Sequence, residues 1–306
     1  MFRIAVIGGG RMGRVHLRAL ADATDVCAVS VVEPVAQVAA LLPSGLSVHA
    51  TVGELLATDR PDGVIIAAPS GYHVALVEEL AAAGMPILCE KPGGVVAAEI
   101  VTAAERVAAA AVPFQVGYWR RFVPELVDLQ RRIADGSVGE LYLVSCWQWD
   151  REPASTLFRT TSGGICVDMG VHEFDQVRWL TGQEFDAVHL VAATAESDTP
   201  VPGDPESLIL LAGLSGGTAA SISLGRRYPP GDMARVEVFG MNGAEAHEFL
   251  SPATGEVSFL AAIRAQSESF ARYVGGADRQ GAAIEDAVAA LVVAERAADG
   301  LRELLA

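Results

Sequence analysis

Lysine is almost missing from this chain: Lys91 stands alone against 21 arginines. A base composition that favours arginine codons explains the general replacement but not the one position that resists it. Cysteine is scarce too. Cys27, Cys89, Cys146 and Cys166 are scattered without a CxxC pair, which argues against a disulfide framework or a zinc cluster and fits a reducing cytoplasm. No stretch approaches the roughly 20 uninterrupted apolar residues that span a bilayer. The apolar run in MFRIAVIGGG ends in glycines with no small-residue cleavage site, so it reads as a first strand rather than a signal peptide. Positive charge is in deficit as well. A formal charge of -16 would repel phosphate backbones, which speaks against a nucleic-acid role.

What is present is apolar and long enough for two cores: 306 residues, 51% hydrophobic. Residues 2 to 7 form an apolar run, GGGRMG follows, and RVHLRALAD has a mostly helical apolar pattern. This is strand, tight turn, helix. In the GxGxxG of Gly8, Gly10 and Gly13, the first glycine permits the turn, the second lets backbone approach a pyrophosphate, and the third allows close helix packing. Arg11 and Met12 lie in the same turn, where free N–H groups and the helix dipole would face phosphates.

The next strand, VCAVSVVE, ends in Glu33, 20 residues past Gly13, where a carboxylate would accept hydrogen bonds from an adenosine ribose. That favours NAD over NADP, because Glu33 would repel a 2′-phosphate and Pro34, Val35 and Ala36 offer no arginine to bind one. An ordinary solvated carboxylate is the alternative for Glu33. Further apolar runs alternate with alanine-rich helical segments to about residue 118, which implies a parallel doubly wound sheet. Ligands in such sheets sit beyond the carboxyl ends of the strands, which places Pro69, Ser70, Glu90, Lys91 and Gln115 on the cofactor side. His73 either reaches the cofactor or helps begin its helix.

After Tyr118 the pattern changes. A helix (122 to 136) and a strand (140 to 149) open a second domain, and four later strand-like segments without intervening helices point to a largely antiparallel sheet. Two helical stretches, roughly 258 to 275 and 282 to 305, close the chain. The expected division is 1–119 and 120–306, with the most loop-like region at 196–206. Within SGGICVDMGVHEFDQVRWLTG, Asp168 and His172 are four apart, so on a helix already begun they share a face and the carboxylate could orient the imidazole as a general base. Alternatively, Asp168 is a helix N-cap and His172 a satisfied buried polar residue. The other histidines have no acidic partner at ligand spacing, and no metal site is supported.

Taken together, GGGRMGRVH, VIIAAPSGYH, EKPGG, QVGYWRRF and GGICVDMGVHEFDQVRWL resemble the Gfo/Idh/MocA family of nicotinamide-dependent oxidoreductases over nearly the whole chain, with the likeness closest to its inositol dehydrogenases. The resemblance implies an α/β fold: an N-terminal Rossmann domain and a C-terminal α+β domain whose large, mainly antiparallel, open-faced sheet makes homodimer or homotetramer contacts. It implies a reaction centre of Lys91, Asp168 and His172 acting on a secondary alcohol of a cyclic polyol or sugar, bordered by Trp119 and Arg120. Tyr228 and Pro230 depart from the tyrosine many inositol dehydrogenases carry nearby, which leaves aldose, sugar-nucleotide and dihydrodiol oxidoreductases as alternatives. A nicotinamide-binding sensor without turnover is the alternative of a different class.

Overall fold

The computed structural model describes residues 1–193 and 201–305, so part of the loop expected at 196–206 lies outside the described residues. The chain forms two compact units, Met1–Phe122 with Leu260–Val288 and Val123–Phe259 with Ala289–Ala306. Compactness draws the line at Phe122/Val123 and returns Leu260–Val288 to the first unit, a crossing back that a linear division leaves out. The reason is packing. Phe270 is fully buried in the first core and meets Phe2 edge-on at 6.2 Å, and Ala282 bridges to Val116 on the outermost strand.

In the first unit, β1 (Phe2–Ile7), β2 (Val26–Val32), β3 (Ser47–His49), β4 (Gly63–Ile66), β5 (Ile87–Glu90) and β6 (Phe114–Gly117) form a parallel sheet in the order β3-β2-β1-β4-β5-β6. The central strands β1, β4 and β5 are almost continuously apolar because parallel strands are covered on both faces. Helix Arg11–Ala21 buries Gly13, His16, Leu17, Ala19 and Leu20, a stripe at helical spacing that faces the sheet. The order turns back on itself between β1 and β4, and this switch point is where such sheets open a crevice at their carboxyl ends.

In the second unit, β7 (Leu141–Trp149), β8 (Phe185–Ala193), β9 (Ser207–Leu214), β10 (Ala219–Gly225), β11 (Met233–Gly240) and β12 (Gly243–Leu250) form a mixed sheet in the order β12-β11-β7-β10-β9-β8. All of its pairings are antiparallel except β7 with β10. Burial alternates along β9: Leu208, Leu210, Ala212 and Leu214 face the core, while Ile209 and Leu211 are about half exposed. One face of the sheet is therefore packed and the other open in the single chain. No helix among the described residues is long and apolar enough to cross a membrane.

Candidate active site

The glycine turn between β1 and helix Arg11–Ala21 leaves no room for side chains at two positions. Gly8 has a left-handed φ of 101°, and a Cβ there would come within 2.8 Å of the Ala67 carbonyl oxygen; at Gly13 a Cβ would lie 1.9 Å from the Gly8 oxygen. Nothing stands within 4 Å of a Cβ built on Gly10, which caps the helix without any side-chain bond to its first turn. Open space over a helix N-terminus of bare backbone, including Arg11 and Met12, fits a pyrophosphate. Glu33, just past β2, accepts from Gly9 N–H through Oε2 and from Val35 N–H through Oε1, each at 2.8 Å. Its carboxylate is thus fixed beside the turn, where the ribose of a dinucleotide falls.

If Glu33 binds that ribose, Glu33→Ala should raise the Kd for NAD about tenfold, the size of a lost charge-assisted bond, and the Kd for NADP by less. Fluorescence titration with both cofactors reads the ratio. Equal weakening would leave bracing of Gly9 and Val35 as the work of Glu33.

Beyond β4, Pro69 precedes the 3₁₀ turn Ser70–Tyr72, and His73 begins the following helix. The His73 Nε2–H donates to the Ala68 carbonyl at 2.8 Å, and burial lowers the imidazole below its ordinary pKa. His73 is therefore a neutral brace that closes the turn after β4. At the end of β5, Glu90 is buried and pairs with His16 at 2.7 Å between Oε1 and Nε2. His16 does have an acidic partner, then, 74 residues away and beyond the reach of local spacing. Lys91 follows directly and is partly exposed.

Gln115 lies within β6, in register with Leu88 and fully buried; a Cβ on Gly281 would stand 2.6 Å from its Nε2. The carboxyl end of that strand is Gly117, opposite Glu90, two residues further on. Trp119 and Arg120 are both buried in a 3₁₀ turn, with the Arg120 guanidinium 6.0 Å from the Trp119 ring centre.

Asp168 and His172 belong to the second unit. The helical stretch expected there is interrupted: Asp168 ends a five-residue helix, Gly164–Asp168, and His172 lies in Gly170–Thr181, with Met169 between them at φ −98° and ψ −48°. Asp168 is therefore not the N-cap of the helix that carries His172, because Met169 holds that place. His172 is 8% exposed, and Val171, Phe174, Val177 and Leu180 pack its helix as the apolar pattern implies, whereas Glu173, Asp175 and Gln176 are buried as well.

Sequence reading missed the surroundings of Asp168. Arg226, fully buried, donates from Nη1 to Asp168 Oδ2 at 3.4 Å and from Nη2 to Asp204 Oδ1 at 3.2 Å. Arg159 donates to Asp204 Oδ2 at 2.6 Å and to Glu206 at 3.2 Å. Burial works against the Arg159 charge, but Asp204 and Glu206 outweigh it and hold its pKa above the ordinary value. Burial also pushes the Cys166 thiol up to about 12 and that of Cys89 well above its usual range, so neither is a thiolate nucleophile at neutral pH.

A glycine-turn parallel sheet with an acidic residue at the end of its second strand, followed by an α+β unit with an open-faced sheet, defines an NAD-binding oxidoreductase. Residues 2–118 match the oxidoreductase family with NAD-binding Rossmann fold, and residues 126–244 match the Gfo/Idh/MocA C-terminal domain. The chain belongs to the Gfo/Idh/MocA family. It is 46% identical to the rhizopine catabolism protein MocA of Rhizobium meliloti, over 97% of this chain and 94% of that one. Identity to the inositol 2-dehydrogenase of Rhizobium meliloti strain 1021 is 32%, over 84% of this chain and 78% of that protein. Among solved structures, a putative myo-inositol dehydrogenase from Sinorhizobium meliloti 1021 superposes with a TM-score of 0.91 at 29% identity, covering 99% of this chain and 98% of that one.

Proposed function

We propose that this oxidoreductase oxidises a secondary alcohol of a cyclic polyol or sugar of the inositol kind, with Lys91, Asp168 and His172 as its reaction centre. The observation that carries the reading is the buried His172, four residues beyond an Asp168 that is itself tied to a buried arginine. Gly8, Gly10, Gly13 and Glu33 are the residues that would hold NAD, which when bound would supply the acceptor for the hydride of the alcohol carbon. His172 takes the hydroxyl proton on an imidazole nitrogen as the carbonyl forms. Asp168 orients the ring and stabilises its protonated form, and the Lys91 ammonium donates to the same oxygen as negative charge grows on it. Trp119 and Arg120 border the substrate in this reading, and the open sheet face of the second unit makes homo-oligomer contacts.

The greater identity to the rhizopine catabolism protein favours a second reading, in which the substrate is a compound of rhizopine catabolism rather than a free inositol. The test is a screen of nicotinamide reduction at 340 nm, a wavelength chosen for reduced nicotinamide itself, with NAD and NADP against inositols, rhizopine, hexoses and their derivatives. Turnover confined to hexoses would sink the inositol reading. An absence of turnover with any alcohol, together with tight NAD binding, would support a non-catalytic sensor.

A further inference from the structure

The short helix that carries Asp168 is gripped at both ends by one ion cluster. At its start, the Ile165 N–H donates to Asp204 Oδ1 at 2.7 Å. Gly164, in a left-handed conformation with φ 73°, brings the backbone so close that a Cβ would lie 3.3 Å from the same oxygen. At its end, Asp168 Oδ2 accepts from Arg226, whose other arm is held by Asp204. Asp204 also accepts from Arg159 and is 7% exposed.

The charges explain why Asp168 is drawn in. Two fully buried guanidiniums, Arg159 and Arg226, cannot both be balanced by the single carboxylate of Asp204, and a buried charge without compensation is costly. Glu206 completes the pairing of Arg159 and also meets the more exposed Arg227, which leaves Asp168 as the second carboxylate for Arg226. Arg226 directly follows β10, and its N–H extends the ladder to the Glu206 carbonyl at 2.9 Å, so the guanidinium projects from a rigid base. At 3.4 Å its contact with Asp168 is longer than a full charge-assisted bond but close enough to steer the carboxylate.

We propose that Arg226 is a positioning residue that sets the orientation of the Asp168 carboxylate, with Asp204 as its anchor. The proposal rests on the reading of Asp168 as the group that orients His172. A double-mutant cycle on kcat tests it. Arg226→Met should lower kcat about 10²-fold, the cost of misplacing a reacting group by about 1 Å, without changing the Kd for NAD. In an Asp168→Asn background the same change should cost no more than about threefold, because the carboxylate it positions is gone. Arg226→Lys should recover about tenfold of the loss, since the charge remains while the fork is lost.

Wild-type kcat in Arg226→Met, or the full loss in both backgrounds, overturns the proposal. Should Arg226→Met fail to fold, Arg226→Lys carries the same cycle, with a fall of about tenfold expected only where Asp168 is intact. If the wild-type protein binds NAD but oxidises no alcohol, the proposed activity fails by itself, and the crystal structure of Arg226→Lys then decides. An Asp168 carboxylate turned from its present orientation supports the positioning role; an unmoved one overturns it.

Discussion

His172→Ala is expected to lower kcat by about 10² to 10⁴, the range of a positioned acid–base group, while the Kd for NAD changes by less than about twofold. The split between these two numbers is the content of the prediction. His172 belongs to the second unit, whereas the glycine turn and Glu33 lie in the first, so truncating the imidazole removes no group proposed to hold the dinucleotide. Its helix is packed through Val171, Phe174, Val177 and Leu180, all at most 2% exposed, so the loss of one side chain at the margin of that core should leave the helix folded. A secondary alcohol is a very weak acid, and without a base its proton must leave to water, which makes proton removal the slow event. Raising the pH should then restore part of the rate in His172→Ala, because hydroxide replaces the missing base. Single-turnover absorbance measurements across pH read both effects. Wild-type kcat in the variant, or a rate loss that follows a matching loss of NAD affinity, would remove His172 from the proton step.

The candidate histidine was visible in the sequence because its pattern is local. An Asp and a His four apart inside an otherwise apolar helical pattern stand out, as do a GxGxxG after an apolar run and an acidic residue where the next strand ends. The groups around Asp168 are not local. Asp204 lies 45 residues from Arg159 and 22 from Arg226, and Arg226 lies 58 from Asp168, so only the folded sheet brings them together. The same limit hid the pairing of His16 with Glu90 across the first sheet.

Elements without a strong apolar period were also illegible. GAEAHEFL forms the edge strand β12 although Phe249 is its only buried residue, since pairing with β11 rather than burial defines it. The interruption at Met169 left no mark either, because Met is a good helix former. Gln115 shows a limit of another kind. It lies near the end of an apolar run, but the register puts the strand end at Gly117 and turns Gln115 toward the backbone of Gly281.

Lys91→Arg should lower kcat about 10²-fold despite keeping the positive charge, close to the cost of removing one donor to a developing oxyanion. The physical difference is shape. An ammonium is compact, with three donors that rotate freely, and can serve an alcohol oxygen and a neighbouring hydroxyl together; a guanidinium is planar and larger, and its fork suits carboxylates and phosphates. Lys91 also starts from a fixed point. Glu90 before it is buried and tied to His16, the Gly93 N–H closes back on the Glu90 carbonyl at 3.2 Å, and a Cβ on Gly94 would stand 2.9 Å from Ile100. The backbone is therefore poorly able to retreat and make room for the longer side chain. Lys91→Ala supplies the control. Added ethylammonium should restore part of its rate and guanidinium should not, as read by initial rates at saturating NAD. Wild-type turnover in Lys91→Arg, or equal rescue by both cations, would mean that the site needs only a positive charge and that the single lysine carries no chemical requirement of its own.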